Sequence, residues 1–177
     1  KNILTPEIIS KKKIKVYNKK KSIIEKEIIG SASKNIRILN KNAKFKIRKD
    51  FIYQEYIKGT ELHFDILNDF NGKYLTSCIK RKISMRQGET DAAETLFDEK
   101  LFKIAKFISK KIKHHGNLDC DAIVDKNGKI FFIDFNPRFG GGYPFTHLSG
   151  INFLEILVNL IQNKKIKKYK TKKIVCY

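Results

Sequence analysis

The chain has 177 residues, of which 41% are hydrophobic, so it is large and apolar enough for one domain or two small ones and is not a disordered chain. It contains no apolar run near the roughly 20 residues that span a membrane, and its three widely spaced cysteines indicate a reducing cytoplasm rather than a disulfide framework. The net charge is +20, but the lysines are spread along the whole chain, which favours a compositional bias with weak, salt-sensitive affinity for polyanions over a specific nucleic-acid surface.

The first part of the chain predicts strands separated by short loops. Residues 1–22 are rich in lysine and show no apolar periodicity. Isoleucines between positions 23 and 38 flank the small residues 30–33, which predicts a strand, a small-residue loop and a second strand. Two further strands are predicted by the stretch FIYQEYIKGTELHFDIL, with a break at Lys58 and Gly59.

The remaining segments predict two hairpins, two helices and a last strand. The dipeptides Asn71-Gly72 and Asn127-Gly128 are typical of tight hairpin turns. Apolar residues at helical spacing predict a helix from Ala92 to His115, with acids at its start and with His114 and His115 exposed at its basic end. A second helix is predicted by INFLEILVNLI, and a last strand by KIVCY.

The second hairpin carries the residues on which the chemistry depends. Asp121 lies early in its first strand, Asp134 late in its second, and Asn136 two residues further along the same face. Two carboxylates and an amide oxygen are hard ligands that suit Mg²⁺, with Mn²⁺ as a second option. Arg138 adds a planar cation suited to phosphate, and residues 140–142 are glycines that let a ligand approach the backbone. The residues alone leave one alternative open, a surface hairpin whose acid pairs with a lysine.

This pattern resembles the ATP-grasp family, in particular the group around the carbamoyl phosphate synthetase large chain and amino-acid ligases. The stretch FIDFNPRFGGGYP is similar to the metal-binding strand and loop of that fold. Its lysine-bearing strand and phosphate loop resemble SIIEKEIIGSASKNI, and its hinge resembles IYQEYIKGTELHFDI, in the family's order. The resemblance implies an α+β fold whose two subdomains, with mainly antiparallel sheets, grip ATP between them. Residues 1–57 would form a partial N-terminal subdomain with the phosphate loop and hinge, and residues 58–177 a C-terminal subdomain with the metal site.

The resemblance also implies a role for each matching residue. Lys26 of the first strand would contact the α- or β-phosphate, and the small-residue loop 31–33 would cover the phosphates. The hinge at residues 55–57 would contact adenine, and Glu61 after it would contact the ribose hydroxyls. These ATP-binding residues are Lys26, Ser31, Ala32, Ser33, Glu55, Tyr56, Ile57 and Glu61. The metal would be held by Asp121, Asp134 and Asn136, where Asp134 stands in place of the family's usual glutamate. Arg138 would hold the transferring phosphate, with Arg81 and Arg86 on the side of the second substrate.

The activity that the resemblance implies is an ATP- and Mg²⁺-dependent ligation of a small carboxylate to an amine, or to a related nucleophile, through an acyl-phosphate. Relatives usually carry another α/β domain before the ATP-grasp core. The chain is therefore expected to belong to a larger cytoplasmic enzyme, or to act with a second copy, with no specific nucleic acid and no membrane as partner. The alternative is a non-catalytic module that binds nucleotides or polyanions and has kept the fold.

Overall fold

A small three-stranded sheet forms the first part of the protein. The structure is a computed structural model that describes residues 2–30, 35–86, 89–167, 169 and 172–176. The first elements are α1 (Ile14–Asn18), β1 (Ile23–Glu27), β2 (Arg37–Leu39) and β3 (Phe51–Glu55). The three strands are antiparallel in the order β2-β1-β3. Alternate residues of β1 and β3 bury Ile23, Phe51 and Tyr53 against Ile14 of α1. The sequence did not predict α1, because residues 1–22 lack apolar periodicity.

A larger six-stranded sheet follows, in the order β8-β7-β4-β5-β6-β9. Its elements and the helices packed on it are β4 (Gly59–Asn68), β5 (Tyr74–Arg86), β6 (Glu89–Leu96), α2 (Glu99–Ile112), β7 (Gly116–Asp125), β8 (Ile130–Asn136), α3 (Tyr143–Leu148), α4 (Phe153–Ile161) and β9 (Val175–Cys176). Every described pairing is antiparallel, and both predicted hairpins turn at a glycine with φ of +75°, Gly72 and Gly128. These two antiparallel sheets with flanking helices confirm the predicted α+β class.

The two faces of the larger sheet are covered differently. Leu62, Phe64 and Ile66 of β4 are buried in a core that α2 completes. The residues that alternate with them on β4 are polar and face the other side. On that side α3 and α4 cover only one end of the sheet, where Tyr143 and Phe153 pack in a second core. The rest of the polar face is left for the site described below.

The long helix begins later than the sequence predicted. Residues 92–96 belong to β6 and pair with β5, which buries Ala92, Ala93 and Thr95 in the sheet. The helix itself begins at Glu99, because the side chain of Asp98 accepts a hydrogen bond from the backbone N–H of Lys100 and caps it. The apolar spacing before Asp98 therefore belongs to a strand, and the predicted start at position 92 is wrong.

The end of α2 also differs from the prediction in one histidine. Lys113 adopts a left-handed conformation with φ of 53° and ends the helix, after which His114 turns inward and is buried. His115 is exposed, as predicted. The predicted last strand and the helix INFLEILVNLI are both present, as β9 and α4.

The smaller sheet ends at Glu55 and the larger one begins at Gly59. The division of the chain into subdomains at position 57 stays a prediction. Within the described residues, every helix is too short or too polar to cross a lipid bilayer.

Candidate active site

A cleft of about 920 Å³ lies between the two sheets and gathers residues that are distant in the sequence. From the predicted ATP-binding set, its walls contain the lysine of β1, the three hinge residues and the acid that follows the hinge. These are Lys26, Glu55, Tyr56, Ile57 and Glu61. Two of the predicted metal residues, Asp121 and Asp134, line the same cleft. The predicted loop residues Ser31, Ala32 and Ser33 lie outside the described part of the chain.

The smaller sheet contributes an apolar wall to the cleft. Four isoleucines from its three strands and the segment before β2 line it, namely Ile24, Ile36, Ile38 and Ile52. Ile36 and Ile38 keep 40% and 49% of their surface exposed, which is unfavourable for a bare apolar wall. Met85, Ile123 and Ile133 line the cleft from the larger sheet. A flat apolar group that enters here would bury this surface.

One row of cross-strand partners crosses the polar face of the larger sheet. Lys80 of β5 lies opposite His63 of β4, His63 opposite Asp121 of β7, and Asp121 opposite Asp134 of β8. Partners directly across an antiparallel pair have Cβ atoms about 5 Å apart. Two carboxylates that face each other at that spacing repel unless a cation lies near them.

A bulge in β8 creates this pairing of carboxylates. From the turn outward the register is regular as far as Ala122 and Phe132, and it then shifts by one residue so that Asp121 meets Asp134. Ile133 is therefore the extra residue, and both Ile133 and Asp134 reach the cleft. Without the shift, Asp121 would face Ile133, and Asp134 would point to the opposite side of the sheet.

Asp121 is held by two donors. Its Oδ1 lies 2.9 Å from Nδ1 of His63, and its Oδ2 accepts a hydrogen bond of 2.9 Å from Nζ of Lys82. Burial alone would raise the pKa of Asp121, but the hydrogen bond and charge of His63, together with Lys82, outweigh burial and lower it to about 2. The carboxylate is therefore ionised at neutral pH. Lys82 also lies 3.7 Å from Glu61 and lines the cleft.

Below Asp121, a buried ion pair connects the sheet to α3. Nζ of Lys80 donates to Oδ2 of Asp65 at 2.6 Å, to the carbonyl of Gly142 at 2.7 Å and to Oγ1 of Thr146 at 2.7 Å. Burial would raise the pKa of Asp65, but the charges of Lys80 and His63 outweigh it, so the pKa is held well below its usual range. Oδ1 of the same carboxylate lies 3.3 Å from Nε2 of His63.

A second row of partners lies beside the first. Asp65 faces Asp119 of β7, and Asp119 faces Asn136 of β8. Burial raises the pKa of Asp119, and the neighbouring carboxylates Asp121 and Asp65 raise it further, while His63 and Arg138 lower it. The Arg138 guanidinium lies 3.4 Å from Asp119 and keeps 61% of its side chain exposed. Arg138 is thus tethered at one nitrogen beside the predicted metal residues.

Two of the three glycines after Arg138 pack closely on the sheet beneath them. A Cβ on Gly140 would lie 1.6 Å from a carboxylate oxygen of Asp119, and a Cβ on Gly142 would lie 3.0 Å from Nε2 of His63. The loop rests directly on the polar row, so any side chain at position 140 would displace it. This contact with the protein gives a reason for the glycines in addition to the ligand access predicted from the sequence.

The two remaining predicted arginines, Arg81 and Arg86, form ion pairs with acids of β6 and not with Asp121 or Asp134. Arg81 alternates with Lys80 and Lys82 along β5, and its guanidinium forms an ion pair with Glu94 of β6. Arg86 lies near the exposed end of β5 and forms an ion pair with Asp91. The expectation that Arg81 and Arg86 lie on the side of the second substrate stays a prediction. Among the hinge residues, Glu55 accepts a hydrogen bond of 2.8 Å from Lys21.

The oxygen atoms of Asp121, Asp134 and Asn136 are ligands that fit a hard divalent cation. Asp121 and Asp134 face each other, and Asn136 donates its amide N–H to Asp134 at 2.9 Å, which leaves its amide oxygen as a further ligand. A second group, His63, Asp119 and Asp121, offers ligand atoms that all lie within 4.8 Å of one another. Sequence reasoning missed His63, Asp119 and Lys82. The alternation of β4, where Glu61, His63 and Asp65 share a face, is the signal that could have found the histidine.

Comparisons with known proteins agree with this arrangement. Residues 1–142 match the ATP-grasp domain family, whereas no curated protein matches the sequence. Many solved structures are similar in fold, and three of them illustrate the likeness. A biotin carboxylase from Campylobacter jejuni has a TM-score of 0.73 and 15% identity, over 96% of this chain and 45% of the other. The biotin carboxylase domain of 2-oxoglutarate carboxylase from Hydrogenobacter thermophilus has a TM-score of 0.69 and 16% identity, over 94% of this chain and 43% of the other. The N5-carboxyaminoimidazole ribonucleotide synthetase of Thermotoga maritima has a TM-score of 0.68 and 17% identity, over 96% of this chain and 48% of the other.

The chain thus spans less than half the length of each of these three structures. At such identities the likeness concerns the fold, and the closer relation to carbamoyl phosphate synthetase stays a prediction. Because the family match covers most of the sequence and the two sheets enclose the cleft that the sequence pattern implied, the protein belongs to the ATP-grasp family.

Proposed function

We propose that the chain is the ATP-binding part of an ATP- and Mg²⁺-dependent ligase that joins a carboxylate to an amine or a related nucleophile. The observation that carries the proposal is the composition of the cleft between the sheets. Exposed isoleucines form one wall, and the facing carboxylates Asp121 and Asp134 lie on the other. A ligand with a flat base at one end and a metal-bound polyphosphate at the other matches both walls.

The base would lie between the isoleucines of the smaller sheet and Met85, with its edge against the backbone of residues 55–57. Glu61 is exposed in the cleft next to the hinge, where it could accept hydrogen bonds from ribose hydroxyls. Lys26 lines the cleft on β1 and could contact phosphate oxygens. The biotin carboxylase domain from Hydrogenobacter thermophilus was solved with MgADP, ADP and bicarbonate, which supports a nucleotide in the equivalent cleft.

Asp121, Asp134 and Asn136 would hold Mg²⁺, with Mn²⁺ as a substitute. When bound, such an ion neutralises charge on the phosphates and orients them. The chain's own contribution is positioning and electrostatics: Lys82 and Arg138 place cations beside the carboxylates. The substrate carboxylate would attack the terminal phosphorus of ATP and release ADP. The acyl-phosphate formed would then be displaced by the nucleophile, which releases phosphate.

Calorimetry with a non-hydrolysable ATP analogue tests the proposal, in the presence and absence of Mg²⁺. We expect tight binding only with Mg²⁺. Asp134→Ala should lose most of that metal dependence, because it removes a predicted ligand whose side chain is exposed and whose loss leaves the sheet intact. Glu99→Ala is a matched control, since that carboxylate is exposed at the start of α2, and this variant should keep the metal dependence of the parent. Equal affinity with and without metal in the parent chain would refute the site.

A further inference from the structure

We infer that His63 is a positioning residue that fixes the Asp121 carboxylate for its cation and couples it to the glycine loop. The inference rests on the proposed function, because it takes Asp121 as a metal ligand. His63 lies at the centre of the cross-strand row, between Lys80 and Asp121, and it is buried. It therefore acts on the site from beneath and does not line the cleft wall.

The first arm of the arrangement is the contact with Asp121. Nδ1 of His63 lies 2.9 Å from Oδ1, so the imidazole N–H selects one orientation of the carboxylate. Oδ2 turns towards Lys82, which lies in the cleft. Partners that orient a metal-binding carboxylate in this way tune the affinity of the site although they touch no metal themselves.

The second arm leads from the histidine to the loop. Nε2 of His63 lies 3.3 Å from Asp65, Asp65 accepts from Lys80, and Lys80 donates to the carbonyl of Gly142. Polar contacts thus run without interruption from Asp121 to the loop after Arg138. This series of contacts is held in place because His63, Asp65 and Lys80 are buried and because Gly142 packs closely on the imidazole.

His63 could instead be a direct ligand, since it forms a compact group with Asp119 and Asp121. The contacts favour positioning. Both ring nitrogens already face carboxylate oxygens, Nδ1 at Asp121 and Nε2 at Asp65 and Asp119. The two carboxylates that Nε2 faces already have a cation each, in the pairs Lys80–Asp65 and Arg138–Asp119. No further ion is therefore needed beside Nε2, and the cation assigned to Asp121 lies on its other side, towards Asp134.

Two amide substitutions distinguish the contact of Nδ1 with Asp121 from the contact of Nε2 with Asp65. In His63→Asn the amide nitrogen lies as many bonds from the backbone as Nδ1, so the donor to Asp121 is kept. In His63→Gln the amide nitrogen reaches the place of Nε2, so that donor is lost. Both variants remove the imidazole ring. The measurement is the Mg²⁺ affinity at a fixed concentration of the ATP analogue, with the metal-free affinity for the analogue as an internal control and thermal unfolding as a check of folding.

We expect His63→Gln to weaken Mg²⁺ binding by about 10-fold or more, the usual effect of losing a partner that orients a ligand. His63→Asn should stay close to the parent, and the metal-free affinity should stay constant in both variants. Equal Mg²⁺ affinity in the two variants, whether unchanged or lowered, would overturn the inference. A parent chain that binds the analogue equally with and without Mg²⁺ would overturn the proposed function and the inference together.

Gly142→Ala provides a second route if both histidine variants unfold. The new methyl group presses on Nε2 of His63 from the loop side, so Mg²⁺ affinity should fall while the metal-free affinity is kept. In the His63→Asn background the smaller side chain gives way, and the effect of Gly142→Ala should disappear. An undiminished effect there, or none in the parent, would contradict the coupling.

Discussion

At the scale of single residues, the burial of Lys80 is unusual for a charged side chain. A lysine that keeps only 1% of its surface exposed normally costs stability, because its charge is removed from water. Here the ammonium group has three partners for its three protons: Asp65, the carbonyl of Gly142 and Thr146. All hydrogen-bonding groups of the ammonium are therefore satisfied, and Lys80 fixes the position of the loop that contains Gly142 above the sheet.

Removal of this cation should be strongly destabilising. In Lys80→Met the Asp65 carboxylate stays buried with His63 as its remaining charged partner. We expect a loss of about 3–5 kcal/mol in the free energy of unfolding, as for other broken buried pairs. Urea unfolding followed by circular dichroism measures it.

Lys103→Met is the control, because that lysine is exposed and pairs with Glu99 across one helical turn, a contact worth about 0.3–0.5 kcal/mol. A Lys80→Met variant as stable as this control would mean that the buried pair contributes nothing to the fold.

At the scale of elements, the end of α2 is held by a buried histidine. Nε2 of His114 donates to the carbonyl of Ile66 at 3.0 Å, and Nδ1 lies 3.4 Å from the amide nitrogen of Asn68, so the imidazole is neutral. Asn68 in turn accepts a hydrogen bond of 2.6 Å from Ser109 of α2. Burial lowers the pKa of His114. Protonation therefore opposes the packing of α2 on β4.

The sign of the resulting pH dependence follows from that lowered pKa. Below about pH 6.5 the unfolded chain takes up a proton at position 114 that the folded chain does not. The free energy of unfolding therefore decreases as the pH falls. We expect the parent to lose more stability than His114→Gln between pH 7.5 and the acidic range. Urea midpoints at several pH values measure the difference.

His147→Gln is the control, because that histidine is exposed and takes no part in the contacts of His114 with Ile66 and Asn68, so this variant should keep the acid sensitivity that His114 causes. Parallel curves for the parent and His114→Gln would show that His114 does not titrate differently in the two states.

The elements differ in how far the sequence could predict them. Hairpins at Asn71-Gly72 and Asn127-Gly128 were predictable because turn dipeptides act locally. The bulge at Ile133 was not, since it depends on how β7 and β8 pair, and a shift of one residue exchanges the two faces of a strand. The start of α2 was misjudged for a related reason: residues 92–96 are apolar enough for either element, and pairing with β5 decides between them.

At the scale of the whole molecule, the site exists because two sheets meet. Motifs in the sequence identified residues such as Lys26, Asp121 and Asp134, which line one cleft. The residues that support them could not be identified by motif. His63 meets Asp121 and Asp119 only because β4 pairs with β7 in the sheet, a contact between residues that are distant in the sequence. The family pattern thus predicted the cleft wall, and the structure adds the layer beneath it.

The most direct test of the account is a crystal structure of the chain with a non-hydrolysable ATP analogue and Mn²⁺, in which anomalous scattering locates the metal. We predict a metal peak between the carboxylates of Asp121 and Asp134, with the base against Ile24, Ile38 and Ile52. A metal bound by His63 and Asp119 instead, or a nucleotide outside the cleft between the two sheets, would contradict the account.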